Sequence, residues 1–123
     1  AFCGPTARNA SMFLEGGHAY VYFIYGMHHC LNVVTGPAGS GQAVLLRAVR
    51  VDGVDFAMTR GPGRLCRFLS VDRALDGVSL LDAESPLLLQ PRTGPAPSFS
   101  CTPRIGIRKN AQVPWRFVMR EPK

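Results

Sequence analysis

A chain of 123 residues, 46% of them hydrophobic, is long enough to bury a core. No run of about 18 apolar residues interrupts it, which excludes a membrane-spanning helix in this stretch, and residues 1–17 are broken by Gly, Pro, Arg and Glu, so no signal peptide is expected. The net charge is +6, and twelve of the fourteen basic residues are arginine, nine of them at Arg60 or later; a planar guanidinium suits phosphate, so a polyanionic partner is expected, although a GC-rich genome would enrich arginine equally.

Residues 1–18 are rich in Gly and Pro and predict loop, with Ser11-Met12-Phe13 as a short extended piece. The run from Tyr20 to Val34 then predicts two strands about a tight turn at Tyr25-Gly26-Met27. Turn positions normally carry small polar residues because the tip faces water. This tip carries a tyrosine and a methionine, and a large apolar tip needs something to enter. In a basic chain one candidate is a DNA base step wedged open from the minor groove. His28-His29-Cys30 invites a metal reading, but strand alternation turns His29 away from the other two, so no metal site is expected. The four cysteines, Cys3, Cys30, Cys66 and Cys101, lack C-x-x-C spacing. Reduced, mostly buried thiols in a cytosolic protein are expected.

Residues 35–41 read as loop, and residues 42–49 as a buried central strand holding Arg47, whose charge there should be paired or functional. Gly61-Pro62-Gly63 precedes Arg64, Leu65, Cys66, Arg67, Phe68 and Leu69. Leu65, Phe68 and Leu69 have i, i+3, i+4 spacing, so a short amphipathic helix with Pro near its start is predicted. Its N-terminus could hold a phosphate beside Arg64; a surface helix packing one face is the equal alternative. Residues 72–77 predict a turn or short helical element, 86–90 a strand, 91–103 a Pro/Ser/Thr-rich loop, and 104–108 and 115–120 two more strands. The sum is an α+β fold, strand-dominated with short helices. Taken alone, Tyr20 to Ile24 could be plain core, Asn32 a satisfied structural amide and Arg47 an ion-pair partner. Whether His29 shares a face with Tyr22 is left open by the turn.

Several stretches together resemble the alkyladenine (3-methyladenine) DNA glycosylases of the mammalian type. They are Gly4-Pro5-Thr6 with Arg8-Asn9 and Met12-Phe13; Tyr20-Val21-Tyr22 with Tyr25-Gly26-Met27 and Asn32; Ala43 to Ala48; Gly61-Pro62 with Leu65-Cys66; Arg104-Ile105-Gly106; and Arg116-Phe117. They follow the family's order along nearly the whole chain. The resemblance implies a single domain over residues 1–123, with a curved antiparallel sheet and a protruding hairpin that intercalates into DNA. It implies a monofunctional DNA-3-methyladenine glycosylase that flips alkylated or deaminated purines (3-methyladenine, 7-methylguanine, hypoxanthine) from duplex DNA and hydrolyses the N-glycosidic bond. No metal or cofactor would be used. The partner would be double-stranded DNA with a damaged purine, the protein a monomer, and its place the bacterial nucleoid or the eukaryotic nucleus.

By the same resemblance, Tyr25 matches the intercalating tyrosine and Met27 its neighbour at the tip. Tyr22 matches a pocket aromatic, and Asn32 the pocket asparagine that disfavours guanine through its 2-amino group. Arg47 matches a buried arginine near the catalytic water, and Met119 the position whose backbone carbonyl holds that water. Arg8, Met12 and Arg64 are assigned to DNA contact. The family's catalytic glutamate stands in a Glu-Ala-Tyr motif upstream of the part matching Ala1, and none of the eight carboxylates here occupies its place. The family's longer linker near Thr59-Arg60 is also missing. A fragment without the general base is therefore expected, inactive by itself. The alternative is a non-catalytic protein that binds lesions in the minor groove.

Overall fold

The computed structural model describes residues 9–24, 28–91, 94, 99–102 and 116–119. Apolar and aromatic residues fill β1 (Ala19–Ile24), which pairs antiparallel with β2 (His28–Thr35). Such residues suit a pleated, half-buried surface. β2 pairs in turn with β3 (Gln42–Leu45), and the strand order is β1-β2-β3. This antiparallel sheet with short helices is the expected α+β architecture. The expected turn at Tyr25, Gly26 and Met27 lies outside the described residues, as does the expected strand over 104–108.

α1 (Pro62–Leu69) forms where its spacing predicts. Gly61 caps it at φ 101°, a backbone setting that glycine alone adopts cheaply, and Pro62 opens the helix at a position that needs no N–H. α1 packs against β2, and a 3₁₀ turn at Arg73–Leu75 packs against β1. Ala19, Val21 and Leu31 of the sheet bury against Leu65, Cys66, Val71 and Leu80. The outer edge of β1 is covered as well. The Ala19 N–H donates to the Val78 carbonyl at 2.9 Å, and the Val21 N–H donates to Asp76 Oδ1 at 2.8 Å. Asp76 Oδ2 also accepts the Ser11 hydroxyl at 2.9 Å. One carboxylate thus joins three elements and spares an edge strand its open N–H groups.

Four expectations from sequence need correction. Residues 11–13 are not extended but belong to a 3₁₀ helix, Ala10–Phe13, closed by the Met12 N–H on the Asn9 carbonyl at 3.0 Å. The strand predicted over 42–49 ends at Leu45 and lies at the edge of the described sheet, alternating exposed and half-buried residues. Leu46 still donates its N–H to the Leu31 carbonyl, and beyond it the chain turns to a different partner: Ala48 bridges Arg60, and Gly61 N–H donates to the Arg47 carbonyl at 2.7 Å. Residues 86–90 form no strand, because the leucine run has a single ladder-like bond, Leu89 N–H to the Leu80 carbonyl. Within the predicted loop 91–103, Phe99–Thr102 forms β4, paired antiparallel with β5 (Arg116–Met119), so a partner distant in sequence overrides local loop composition.

The chain divides into two compact units, Ala1–Gln90 and Pro91–Lys123, and the β4–β5 ladder belongs to the second. In the first, the short stretch at the expected missing linker closes on itself. Buried Thr59 donates its hydroxyl to the Val49 carbonyl, the Thr59 carbonyl accepts from the Val49 N–H, and Asp55 caps the 3₁₀ turn Phe56–Met58.

Candidate functional site

Register sorts the strands into two faces. Tyr20 pairs with Asn32, Tyr22 with Cys30, and Asn32 also with Leu45. Directly opposed residues share a face, so Tyr20, Tyr22, Cys30 and Asn32 stand together on the face away from Val21 and Leu31. The Tyr20 and Tyr22 rings lie 5.2 Å apart, tilted by 37°, within the range of a favourable aromatic pair. Asn32 is 7% exposed and donates its amide to the Tyr20 carbonyl at 3.2 Å, which fixes the amide's orientation. A satisfied amide and a pocket amide are therefore compatible, since the bond that holds Asn32 also aims it.

The register settles the position of His29. It pairs with Phe23, on the opposite face from Tyr22, and its ring meets the Phe23 ring edge-on at 4.8 Å. His28 and Cys30 share a face as alternation requires, with His28 Nδ1 3.8 Å from Cys30 Sγ. Among the described residues no three His, Cys, Asp or Glu side chains gather for a metal.

Arg47 departs from expectation: its side chain is exposed rather than buried. The cause is the early end of β3, which leaves Arg47 in the crossover to Gly61 instead of inside a strand. Its charge still reaches the tyrosine face. Burial pushes the Cys30 thiol up, opposed by a hydrogen bond with the Tyr22 side chain and by the positive charge of Arg47. Cys30, opposite Tyr22 in the ladder, therefore feels both groups, a part that was not assigned to it from sequence. Alternation from Tyr22 could have found it only with the register known. Tyr20, stacked on Tyr22, was missed for the same reason, and Asp76 because its partners Ser11 and Val21 are 65 and 55 residues away.

The other candidate residues are spread more widely. Met12 lies half-buried in the 3₁₀ helix that packs on all three strands. Arg64 is exposed in the first turn of α1 and donates to the Ala57 carbonyl at 3.2 Å. Met119 ends β5 in the second unit, opposite Phe99. Arg8, Tyr25 and Met27 lie outside the described residues. Several carboxylates are already engaged locally: Asp55, Asp72 and Asp82 each accept from a backbone N–H two residues on. Cys30 and Cys66 are free and buried, Cys101 is free and exposed, and Cys3 lies outside the described residues.

The model of the methylpurine-DNA glycosylase family matches residues 1–123. The chain belongs to that family. A relative in Synechococcus elongatus, provisionally named a 3-methyladenine DNA glycosylase, is 46% identical over 116 residues, 94% of this chain and 59% of its own length. Similarly named relatives are 45% identical in Streptomyces avermitilis, over 95% of this chain and 62% of the relative, and 45% in Rhodopseudomonas palustris, over 100% and 66%. The chain thus spans about three-fifths of the curated relatives it matches. The resemblance drawn from Tyr20-Val21-Tyr22, Asn32 and Gly61-Pro62 is met by this methylpurine-DNA glycosylase match.

Proposed function

We propose that this chain is the lesion-recognising body of a monofunctional DNA glycosylase that removes alkylated or deaminated purines from duplex DNA. The observation that carries the reading is the shared face of Tyr20, Tyr22 and Asn32. A stacked base cannot be attacked, so it must leave the helix, at a cost of a few kcal/mol. Tyr25 and Met27 would hold the gap. Alkylation at N3 or N7 makes a purine cationic, and a cation over a tyrosine ring gains roughly 0.5–2 kcal/mol. The same positive charge weakens the glycosidic bond. The pocket therefore selects the damage that leaves most readily. Neutral hypoxanthine would need its leaving group protonated instead.

Asn32 supplies discrimination. Its amide, held by the Tyr20 carbonyl, cannot swing aside for the 2-amino group of guanine. Water attack needs a carboxylate base, and none of the eight carboxylates matches the glutamate the resemblance implies. The part played by these residues is recognition and positioning of the base rather than activation of water. Arg47 would help to orient the water's surroundings.

The test measures free bases released from duplexes containing 3-methyladenine, 7-methylguanine or hypoxanthine by the full-length protein. Release of these bases is expected, and Asn32→Ala should raise release of undamaged guanine relative to 3-methyladenine. Tight binding to lesion duplexes with no base released would replace this reading with that of a non-catalytic lesion binder.

A further inference from the structure

β3 pairs only with Asn32–Thr35, so the edge of β2 before that stretch has no strand beside it in the described sheet. The Leu31 carbonyl accepts from the Leu46 N–H at 3.0 Å, which shows that Leu31 turns its backbone polar groups toward this edge. Alternation turns His29 the same way, two residues earlier, where β3 no longer reaches. α1 lies against β2 there, and between them is a pocket of about 160 Å³ lined by His28, His29, Gly63, Cys66, Arg67 and Val71. Two successive strand residues line one pocket because it opens on the strand's edge rather than on a face. Gly63 makes the room: a Cβ there would come within 2.8 Å of His28 Cβ and Cγ.

The lining favours an anion. It holds two imidazoles and a guanidinium and no carboxylate. Arg67 is exposed and forms no ion pair among the described residues. His28 turns Nδ1 toward its own strand, 3.4 Å from the His29 carbonyl, so its Nε2 donates to an anion when the ring is the cationic imidazolium. The His29 ring is steadied by its edge-on contact with Phe23. Organic ligands usually occupy pockets of roughly 300–1,000 Å³. This one lies below that range and has room for a single tetrahedral anion. His28 also directly follows Met27, so the pocket sits at the end of the β1–β2 ladder where His28 pairs with Ile24.

We propose that His28, His29 and Arg67, between the start of β2 and α1, form a subsite for one DNA backbone phosphate beside the lesion. The proposal rests on the glycosylase reading above for its partner but uses none of the residues of the base pocket. Such a contact would set how the hairpin enters the duplex, because phosphate contacts position a protein while base contacts specify.

The test is the salt dependence of duplex binding by the full-length protein, wild type against Arg67→Gln and His29→Gln. Losing one phosphate contact should make the slope of log K against log salt shallower by about 0.9. Affinity should fall alike for lesion and undamaged duplexes, with the preference for the lesion kept. In parallel, inorganic phosphate should shift the His28 and His29 ring resonances of the wild type and not those of Arg67→Gln. An unchanged slope in both variants overturns the proposal, as does a phosphate response that survives Arg67→Gln. If the slope falls while no base is ever released, the subsite stands and the glycosylase reading fails.

Discussion

The two faces of the β1–β2 ladder are built from alternate residues of the same two strands, yet they do different work. One carries Ala19, Val21 and Leu31 and closes on Leu65, Cys66 and Leu80 with no polar side chain in the cluster. The other carries Tyr20, Tyr22, Cys30 and Asn32, where a stacked aromatic pair, a thiol and a fixed amide meet the field of Arg47. A period of two lets one strand serve a core and a polar, aromatic face at once, since each face is edited without disturbing the other. What holds that second face still is the core behind it: the tyrosines are only as fixed as the strands that α1 pins.

The largest effect should come from the core side. Leu65 is fully buried, and Leu65→Ala should destabilise the protein by about 2–5 kcal/mol in denaturant unfolding. A loss below 1 kcal/mol would mean that α1 does not anchor the sheet. Asp76 belongs to neither face and ties the edge of β1 to two neighbouring elements. Asp76→Ala should cost about 1.5–3 kcal/mol of stability, and because Val21 lies between Tyr20 and Tyr22, lesion binding should weaken with it. Asp76→Asn, which keeps an acceptor, should recover part of both.

On the pocket side the balance reverses. Tyr22→Ala should weaken binding of a lesion duplex by about 1–3 kcal/mol, the range for base–aromatic stacking. Its unfolding midpoint should shift less than that of Leu65→Ala. Equal damage to stability from both substitutions would erase the distinction between the faces. The smallest effect is one of pH. Burial pushes the Cys66 thiol up to about 11, from an ordinary value of 9.0, with the neighbouring Cys30 adding to the rise. The folded state therefore favours the neutral thiol. The stability this contributes is whole below pH 9 and fades as pH climbs toward 11. Thermal melts across that window should fall less steeply for Cys66→Ala than for wild type.

Some of this was legible in the chain itself. The alternation of Tyr20-Val21-Tyr22 and the Gly61-Pro62 start of α1 are local signals, and the structure places both elements where those signals do. Family membership was legible too, because ordered short motifs across most of the chain rarely arise together by chance. The resemblance led directly to Tyr22 and Asn32, and the structure sets them two residues apart in register on one face. Local signals failed where a distant partner decided the outcome. The run 42–49 is apolar enough for a full strand, yet only four residues pair in register with β2, because Arg60 and Gly61 offer the next segment another partner. Phe99–Thr102 sits in loop-like sequence and becomes a strand only because Arg116–Met119 lies opposite.

What the sequence determined by itself was which residue types exist at two-residue spacing on β1 and β2, and with them the aromatic and amide chemistry available to a base. What only the tertiary structure decided was which of them meet. Register sent His29 away from Tyr22 and put Cys30 opposite Tyr22. It also left the edge of β2 open to α1, which made a pocket from His28, His29 and Arg67. The physical reason is that side-chain alternation is encoded within a strand, whereas pairing depends on hydrogen bonds to residues far along the chain, and a slip of one residue moves every side chain to the other face.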